Sequence, residues 1–521
     1  MHLLNKCLTL FLVQLSILAT VPFGSIQAAT SEGMGALAFN PDGEGTFFDT
    51  VLRVTGELDS LFWGLPMIFL LIGTGILLTF VLRGIQFSYF TKSLKLIFDK
   101  ESREGGGKGD ISPFAALMTA LAATVGNGNI AGVATAIAIG GPGAPVYMWI
   151  AGIFGMATKY AEGFLGVHYR EIAPNGSMAG GPMYYVKNGL KNKKLGSFLG
   201  AAFAICGVIA CLIGTGNMAQ SNSMTESLAN TLHGGGAGEQ APVYYYLLIG
   251  AAIAVLVGMV IIGGIKKIGK VSERLVPTMI FFYIGCALIV IIANISRVPE
   301  AFGIIFSSAF GLQPLAGATV GMAIQNGVSR GLLSNEAGLG TAAIAQGASN
   351  SEEPTRNGLI AMTGVFIDTI LVNTMTTLTI VLTGAYTYTK AWTGTGQGSI
   401  TGIEVTQTAF AEVIPFGGAI IAFASFLFGY TTLLGWSYYG EKCIEYLGGD
   451  RVIMPFRYVF ILFLFFGAIL TPLAGKSADY LNIVWHLGNI GNALMAAPNL
   501  IGLLFLGGIV AKITKDRIKE V

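Results

Sequence analysis

The sequence predicts an all-α membrane protein with about eleven transmembrane helices, on three observations. Of its 521 residues, 53% are hydrophobic and only 11% are charged, whereas soluble domains carry about 25% charged residues. Apolar runs of about 20 residues, the length that crosses a bilayer as a helix, recur along most of the chain. The 73 glycines would weaken soluble helices, but in a membrane glycine lets helices approach closely or break.

The individual spans follow from the apolar runs. Residues 111–158 contain no charged residue, and a run of that length must form two spans, which we expect to turn at the sequence GGPG of residues 140–143. The predicted spans are 61–82, 111–140, 143–166, 196–219, 243–265, 275–296, 301–330, 357–385, 413–438, 456–475 and 480–511.

The distribution of Lys and Arg predicts the orientation of these spans, because short loops rich in basic residues stay in the cytoplasm. With the N-terminus outside, the basic loops 83–110, 167–195 and 266–274 and the C-terminal tail all lie inside. The outer side then keeps only Arg53, Arg297, Lys390 and Lys476. We therefore expect a multi-pass protein of the bacterial inner membrane, with a periplasmic N-terminus and a cytoplasmic C-terminus.

The ends of the chain differ from its apolar body. Residues 1–29 resemble a secretory signal peptide, with Lys6 before a short apolar stretch and a small-residue cleavage site; the alternative is one more short helix. Residues 30–60 are acidic and predict an extracytoplasmic segment. Residues 61–515 form the predicted transmembrane domain, and 516–521 the cytoplasmic tail.

The second span contains the sequence TVGNGNI at residues 124–130, with two Gly and two Asn in the middle of an apolar helix. Backbone polar groups cannot be left bare in lipid, so a break there must face protein, water or a ligand. The N–H groups at such a break can meet a carboxylate, and its carbonyl groups can meet a cation. The alternative is close helix packing at the glycines, with each Asn bonded to a neighbouring helix.

The seventh span partly repeats this pattern in the sequence QNGVSRGLLSNEAG of residues 325–338. Paired interrupted helices of opposite direction indicate an inverted repeat with a ligand at its interface. Arg330 and Glu336 are candidate partners in a gating ion pair at the cytoplasmic end; a structural anchor is the alternative. Asp368 in the eighth span must be paired or lie near the inner end, because a charge in the bilayer is costly.

Two further spans carry polar groups inside apolar runs. The fourth places Asn217 and Gln220 in its outer half, and the ninth places Thr431, Thr432 and Trp436 together. Adjacent hydroxyls and unwound carbonyls predict an oxygen cage for a hard cation. The alternatives are threonines bonded to their own helix and an interfacial tryptophan.

Several classes of function find no support in the sequence. The four His form no HExxH motif, and Gly105-Gly106-Gly107-Lys108 lacks the spacing of a phosphate-binding loop. None of the five cysteines forms a CxxC pair, so we expect neither a disulfide framework nor a zinc site. We expect no enzyme activity, organic cofactor or nucleic-acid partner. Ion gradients remain as the energy source.

Over about residues 60–515 the chain resembles the alanine or glycine:cation symporters. The carrying motifs are ISPF at 111–114, TALAATVG at 119–126, NIAGVA at 129–134, FGMATKYAE at 154–162, GGPMYY at 180–185, SNEAG at 334–338 and GWSYYGE at 435–441. The resemblance implies a LeuT-like fold with one helix before a ten-helix core, coupling to sodium or occasionally protons, and a substrate such as alanine or glycine.

The resemblance and the broken helices together define the candidate site. The candidate substrate-binding residues are Gly126, Asn127, Gly128, Asn129, Gln220, Asn335, Thr432 and Trp436. The candidate sodium ligands are Thr124, Val125, Thr431 and Thr432, and the candidate gating or structural residues are Asp368, Arg330 and Glu336. Position 127 departs from many alanine-type members, which carry Thr there, so glutamine or another small neutral amino acid stays open.

The leading hypothesis is therefore symport by alternating access, in which Trp436 excludes long side chains. A passive channel would carry rings of pore-lining charge, and flux independent of an ion gradient would favour it. A membrane-embedded enzyme would need a catalytic cluster, and a receptor would need no inverted repeat. The sequence does not determine the oligomeric state.

Overall fold

A computed structural model describes residues 47–234, 241–311, 319–394, 400, 402–474 and 481–520. The predicted signal peptide and most of the predicted extracytoplasmic segment lie outside these residues. The remainder of that segment, from residue 47, is helical and continues towards the first span.

The described chain is a bundle of helices with one small hairpin. Up to the first long outer connection, the helices are α1 (Phe47–Phe62), α2 (Leu65–Val81), α3 (Ile85–Ser88), α4 (Phe90–Phe98), α5 (Lys100–Glu104), α6 (Pro113–Thr124), α7 (Val133–Gly140), α8 (Ala144–His168), α9 (Pro182–Gly189), α10 (Lys193–Ile213) and α11 (Met218–His233). The antiparallel hairpin is β1 (Glu171–Ile172) and β2 (Met178–Ala179), in which Glu171 pairs with Ala179.

The rest of the chain is helical in its described parts. Its helices are α12 (Val243–Ile261), α13 (Gly264–Ala293), α14 (Val298–Ala309), α15 (Val320–Asn335), α16 (Thr341–Gly347), α17 (Pro354–Val365), α18 (Asn373–Thr383), α19 (Lys390–Thr393), α20 (Ile403–Ala411), α21 (Gly417–Gly448), α22 (Ile453–Ala468), α23 (Leu470–Ala474) and α24 (Leu481–Arg517). Two π-helical segments, Gly128–Gly132 and Phe366–Val372, lie inside spans. Short 3₁₀ turns are Ile295–Arg297, Ala385–Tyr388 and Asp450–Val452.

The helical membrane architecture predicted from composition is confirmed. Within the described residues, eight helices are long and apolar enough to cross a membrane, and a bent pair makes a ninth span. The two other predicted spans correspond to α8 and to the pair α15–α16, which are less apolar, so the count of eleven stays a prediction.

The seventh span does not occupy residues 301–330 as predicted. Residues up to Ala309 form the separate helix α14, and a new helix, α15, begins at Val320. The helix then breaks after Asn335 and resumes as α16. The sequence prediction failed because the apolar residues of α14 and α15 merge into one hydropathy peak, which does not resolve a short helix followed by a broken span.

The interior depends on close packing of α8 with α15, α16 and α17. At Gly163 on α8 a Cβ atom would lie 2.5 Å from the Cβ of Ala361 on α17. Only glycine permits this separation, because a real Cβ contact is longer. Small residues bring helices together in membranes, where apolar burial gives no preference for protein over lipid. The helices α8 and α17 therefore pack closely together, and the broken seventh span, α15 and α16, lies against α8.

The start of the second span is tied to the end of the seventh on one side of the bundle, which we call the inner end from its predicted cytoplasmic orientation. Asp110 N donates to Ala348 O (2.9 Å), and Asn350 N donates to Ile111 O (2.7 Å). The Arg170 guanidinium donates to the carbonyl oxygens of Ser349 and of Lys108, the latter at 3.0 Å. We call this set of bonds between residues 107–111 and 347–350 the inner strap.

The inner strap leaves no room for a side chain at Gly109, whose added Cβ would overlap the backbone of Asn350. At Gly106 an added Cβ would meet nothing within 4 Å. We expect Gly109→Ala to lower the free energy of unfolding by about 1–3 kcal/mol through overpacking, and Gly106→Ala to leave it nearly unchanged. The measurement is the apparent melting temperature of each variant in detergent. Equal melting temperatures of the two variants would show that the inner strap does not exclude a side chain at Gly109.

Candidate functional site

Polar side chains form hydrogen bonds with the backbone at the break in the second span. The helix α6 ends at Thr124, the chain bends by 50°, and helical structure resumes at Gly128. Asn129 Oδ1 accepts a hydrogen bond from Gly126 N (2.8 Å), and Asn129 O accepts one from Thr376 Oγ1 (2.8 Å). The break predicted from two Gly and two Asn is therefore confirmed, and the neighbouring helices supply partners for its freed backbone groups.

The break in the seventh span is held by two charged side chains one turn apart on α8. Lys159 Nζ donates to Asn335 O (2.8 Å), the last residue of α15. Glu162 Oε1 accepts from Gly338 N (3.0 Å) and Gly340 N (2.9 Å), just before α16 begins. A cation at a helix C-terminus and an anion at a helix N-terminus both oppose the local dipole. The Lys159–Glu162 pair therefore stabilises both ends of this break.

Four buried ionisable groups gather around the two breaks. Lys159 and Asp368 are 2% and 0% exposed, and Glu162 and Glu336 are 0% and 3% exposed. Lys159 attracts all three carboxylates electrostatically. With every group ionised, one positive charge faces three negative charges. A buried set of ionisable side chains with excess negative charge favours the binding of an additional cation or proton.

Oxygen atoms surround the carboxylate of Asp368. Ser334 Oγ donates to Asp368 Oδ2 (3.0 Å), and so does Thr369 Oγ1 (2.8 Å). Asn129 Nδ2 lies 2.7 Å from Asp368 Oδ1 and 2.8 Å from Asn373 Oδ1. Carboxylate, carbonyl and hydroxyl oxygens are the ligands that hard cations prefer. We call Asn129, Ser334, Asp368, Thr369 and Asn373 the carboxylate cluster.

A second polar region lies between the break in the second span and one face of α21. Asn127 Oδ1 accepts from Ser425 Oγ (2.7 Å), whereas Asn127 Nδ2 is buried and has no partner among the described residues. Gln220 Nε2 is also buried without a partner there. It faces Gly429, where an added Cβ would lie 3.0 Å from it. Two amide side chains, each with an unpaired nitrogen, therefore approach the same side of α21, and we call this region the amide pocket.

Trp436 and Thr432 border the amide pocket on the same helix. A Cβ added at Gly126 would lie 2.5 Å from Thr432 Oγ1, and one at Gly216 would lie 2.7 Å from the Trp436 ring. The indole of Trp436 interacts in turn with the carboxylate of Glu336 at the seventh-span break. Trp436 thus contacts the irregular segment of the fourth span and the break in the seventh.

Most of the predicted substrate-binding residues lie together. The residues that contribute to the two breaks or to the pocket are Gly126, Asn127, Gly128, Asn129, Gln220, Asn335, Thr432 and Trp436. Gly128 lies against Ser334, because a Cβ added at Gly128 would lie 3.6 Å from Ser334 Cα. Asn335 Nδ2 donates to Thr369 Oγ1 (3.0 Å), which connects the seventh-span break to the carboxylate cluster.

The predicted sodium ligands do not form one group of side-chain oxygens. Thr124 Oγ1 donates to Ala120 O of its own helix (3.2 Å). Thr431 Oγ1 donates to Phe428 O (3.0 Å) and contacts Met279 Sδ of α13 (3.3 Å). Thr432 faces Gly126, and Val125 is buried beside it. Adjacent residues leave a helix about 100° apart, and here the Thr431 hydroxyl lies against α13 while the Thr432 hydroxyl lies against the break.

The expected ion pair between Arg330 and Glu336 is absent from the described residues. Arg330 lies on α15 before the break, on the outer side of it, and its electrostatic partner is Asp59 of α1. Glu336 Oε2 accepts from Thr341 Oγ1 at 2.5 Å. Glu336 lies just beyond the end of α15 with φ +55°, so its side chain is directed to Thr341 of α16 rather than back along α15 to Arg330.

Sequence reasoning missed several residues that the site depends on. They are Lys159, Glu162, Ser334, Asn373 and Ser425. Lys159 and Glu162 could have been found, because two charged residues three positions apart in an apolar span are costly unless they have partners. Ser334, Asn373 and Ser425 carry no comparable signal, because hydroxyl and amide side chains are common in membrane helices.

Glu162→Gln tests the support of the seventh-span break. Gln keeps one acceptor oxygen but loses the negative charge that strengthens the bonds from Gly338 and Gly340. We expect the free energy of unfolding to fall by about 1.5–3 kcal/mol, measured as a lower melting temperature in detergent. Glu171→Gln on the hairpin, whose side chain is 43% exposed, is the control. Equal melting of both variants would mean that the charge of Glu162 does not stabilise the break.

Comparison with solved structures supports the architecture. The crystal structure of MhsT in complex with L-phenylalanine superposes with a TM-score of 0.52, covering 78% of this chain and 99% of that chain at 14% identity. At this identity the likeness concerns the fold alone. It confirms the LeuT-like fold expected from the sequence.

Comparison with known sequences identifies the family. The profile of the sodium:alanine symporter family matches residues 48–520. The sodium/alanine symporter AgcS of Methanococcus maripaludis is 45% identical over 464 residues, which are 89% of this chain and 96% of that protein. The probable sodium/glutamine symporter GlnT of Bacillus subtilis is 33% identical over 470 residues, covering 90% and 91%. A putative sodium/proton-dependent alanine carrier of the same species, YrbD, is 33% identical over 469 residues, covering 88% and 91%. The chain is therefore a multi-pass membrane protein that belongs to the sodium:alanine symporter family.

Proposed function

We propose that the protein imports a small neutral amino acid, alanine or glycine, together with sodium by alternating access. The observation that carries the proposal is the proximity of two helix breaks to a pocket of unpaired amide donors and to a buried, oxygen-rich carboxylate. A zwitterion needs donors for its carboxylate, and a co-transported cation needs oxygen ligands. The direction of import rests on the orientation expected from the basic loops, with the N-terminus outside and the C-terminus in the cytoplasm.

The substrate carboxylate is the group that suits the amide pocket. Asn127 Nδ2 and Gln220 Nε2 are buried donors without partners among the described residues, and an unpaired buried donor costs about 1–3 kcal/mol. A carboxylate between them would satisfy both. Trp436 is 2% exposed and borders the same space, and we propose that its ring limits the length of the substrate side chain.

The carboxylate cluster is the proposed cation site. Asp368, Ser334 and Asn373 supply side-chain oxygens within a group in which Lys159 alone faces three carboxylates. Sodium bound there would offset part of the excess negative charge, which a low-dielectric interior makes expensive. Thr432 and the backbone of Thr124 and Val125 form a proposed second position for sodium. Thr431 is not part of this position, because its hydroxyl contacts Met279.

Two alternatives, one for the substrate and one for the coupled ion, have specific support. Glutamine remains a candidate substrate, because Asn127 places a carboxamide in the pocket and because one relative is named a probable sodium/glutamine symporter. Proton coupling remains a candidate because another relative is named a putative sodium/proton-dependent alanine carrier and because the buried carboxylates could take up protons instead of sodium.

Uptake by the purified protein in proteoliposomes tests the proposed function. We expect labelled alanine or glycine to accumulate when an inward sodium gradient is imposed, and to equilibrate without accumulation when sodium is equal on both sides. Labelled glutamine under the same conditions tests the alternative substrate. A proton gradient without sodium tests the alternative ion. Uptake of the same extent with and without any ion gradient would contradict symport and favour a channel.

Asp368→Asn tests the proposed cation site. The change removes one negative charge from the carboxylate cluster and keeps its shape, so we expect the sodium concentration for half-maximal uptake to rise at least tenfold. Glu445→Gln is the matched control, because Glu445 is also buried on a membrane helix, 5% exposed, but pairs with Lys442 at 2.7 Å near the inner end of α21. An unchanged sodium dependence in Asp368→Asn would remove Asp368 from the cation site.

A further inference from the structure

The amide pocket contains a polar contact that the sequence motifs do not include. Ser425 Oγ donates to Asn127 Oδ1 at 2.7 Å across the interface of α21 with the second-span break. Ser425 is 0% exposed and Asn127 is 5% exposed. A buried hydrogen bond between two side chains fixes the rotamers of both, because the alternative leaves polar atoms without partners.

We propose that Ser425 is a positioning residue of the substrate site: its hydroxyl holds the Asn127 carboxamide by its oxygen, so that the amide nitrogen faces the substrate carboxylate. The proposal rests on the proposed function, because it assumes that an amino acid occupies the amide pocket. It adds the residue that determines which end of the Asn127 amide meets the substrate.

The orientation of the Asn127 amide decides which substrate group it can bind. A carboxamide offers a donor at one end and an acceptor at the other. With its oxygen engaged by Ser425, Asn127 presents only N–H groups, which suit a carboxylate and repel an ammonium group. The reverse orientation would present an acceptor to the ammonium group instead.

The second unpaired amide favours the same orientation. Ser425 and Gly429 are one turn apart on α21 and therefore share a face. Ser425 bonds to Asn127, and Gly429 faces Gln220 Nε2, which has no partner among the described residues. The amides of Asn127 and Gln220 thus approach this face from two different spans. A single carboxylate has two oxygens and can accept from both.

The chemistry of Ser425 makes it a suitable support for Asn127. Its hydroxyl donates to Asn127 Oδ1 and therefore engages the oxygen end of the amide. Elsewhere on α21, Thr431, Thr432 and Ser437 donate to carbonyl groups of their own helix. Ser425 instead donates to another span, which leaves the Asn127 amide fixed relative to α21.

The test compares Ser425→Ala, Ser425→Thr and the control Ser437→Ala in proteoliposome uptake of L-alanine. Ser437 is buried on the same helix, 4% exposed, and its hydroxyl donates only to Leu434 O (2.7 Å) among the described residues. We expect Ser425→Ala to raise KM for alanine about 3- to 10-fold, the loss of one buried hydrogen bond, with maximal uptake rate within about twofold. Ser425→Thr, which keeps the hydroxyl, restores KM, and Ser437→Ala leaves it unchanged.

Asn127→Asp distinguishes the two amide orientations. An aspartate places a negative oxygen where the proposal puts the N–H donor, so we expect alanine binding to be lost. If Asn127 instead presented its oxygen to the ammonium group, Asp would bind alanine as well as Asn or better. Melting temperatures in detergent, with and without alanine, establish that each variant is folded and report binding separately from transport.

The outcomes separate this proposal from the proposed function. Failure of the wild-type protein to accumulate or bind any of the three amino acids would overturn the proposed function and the role of Ser425 with it. Normal wild-type uptake with an unchanged KM in Ser425→Ala would overturn only the role of Ser425. A raised KM in Ser425→Ala that Ser425→Thr does not restore, or that Ser437→Ala reproduces, would also overturn it.

Discussion

The structure depends on one constraint, which is that a membrane helix can break only where other groups replace its hydrogen bonds. The seventh span meets this constraint through α8, where Lys159 bonds to the end of one half-helix and Glu162 to the start of the next. The second span meets it through Asn129, whose side chain bonds to Gly126 N. These contacts keep two short polar segments in the interior of an otherwise apolar bundle.

The same contacts join the two proposed binding positions. Asn129 bonds to the second-span break through its oxygen, and its nitrogen lies against Asp368. A cation at the carboxylate cluster would therefore contact the side chain that also holds the second-span break, and Asn127 of the amide pocket lies in that break. Cation binding that moves Asn129 would alter the break and the free energy of binding an amino acid beside it, which is the requirement for coupled transport.

The sequence was sufficient for the architecture because the relevant signals are long or strong. Long apolar runs predicted the helices, and the two Gly and two Asn at residues 126–129 predicted the broken helix, because they interrupt an otherwise apolar run. The motifs predicted the LeuT-like fold. The seventh span was misplaced because hydropathy averages over α14 and α15, which the fold separates.

The details of the site were less predictable because they depend on which way each side chain faces. The sequence predicts one oxygen cage at the adjacent residues Thr431 and Thr432, but their hydroxyls lie against different helices. The sequence predicts an ion pair between Arg330 and Glu336, but the helix ends between them and Glu336 faces Thr341 instead. Ser334 and Asn373 reach the carboxylate cluster, and Ser425 reaches Asn127, only through tertiary packing. Lys159 and Glu162 were visible as charges in a membrane span, but their partners are backbone groups, which no residue pattern reveals.

An experimental structure determined in sodium and L-alanine would show whether the two helix breaks hold the ion and the amino acid. We expect a carboxylate within hydrogen-bonding distance of Asn127 Nδ2 and Gln220 Nε2, and a cation among the oxygens of Asp368, Ser334 and Asn373. The bonds of Lys159 and Glu162 to the seventh-span break would persist. Alanine bound elsewhere, with both amides still unpaired and the second span straightened into a continuous helix, would contradict the account.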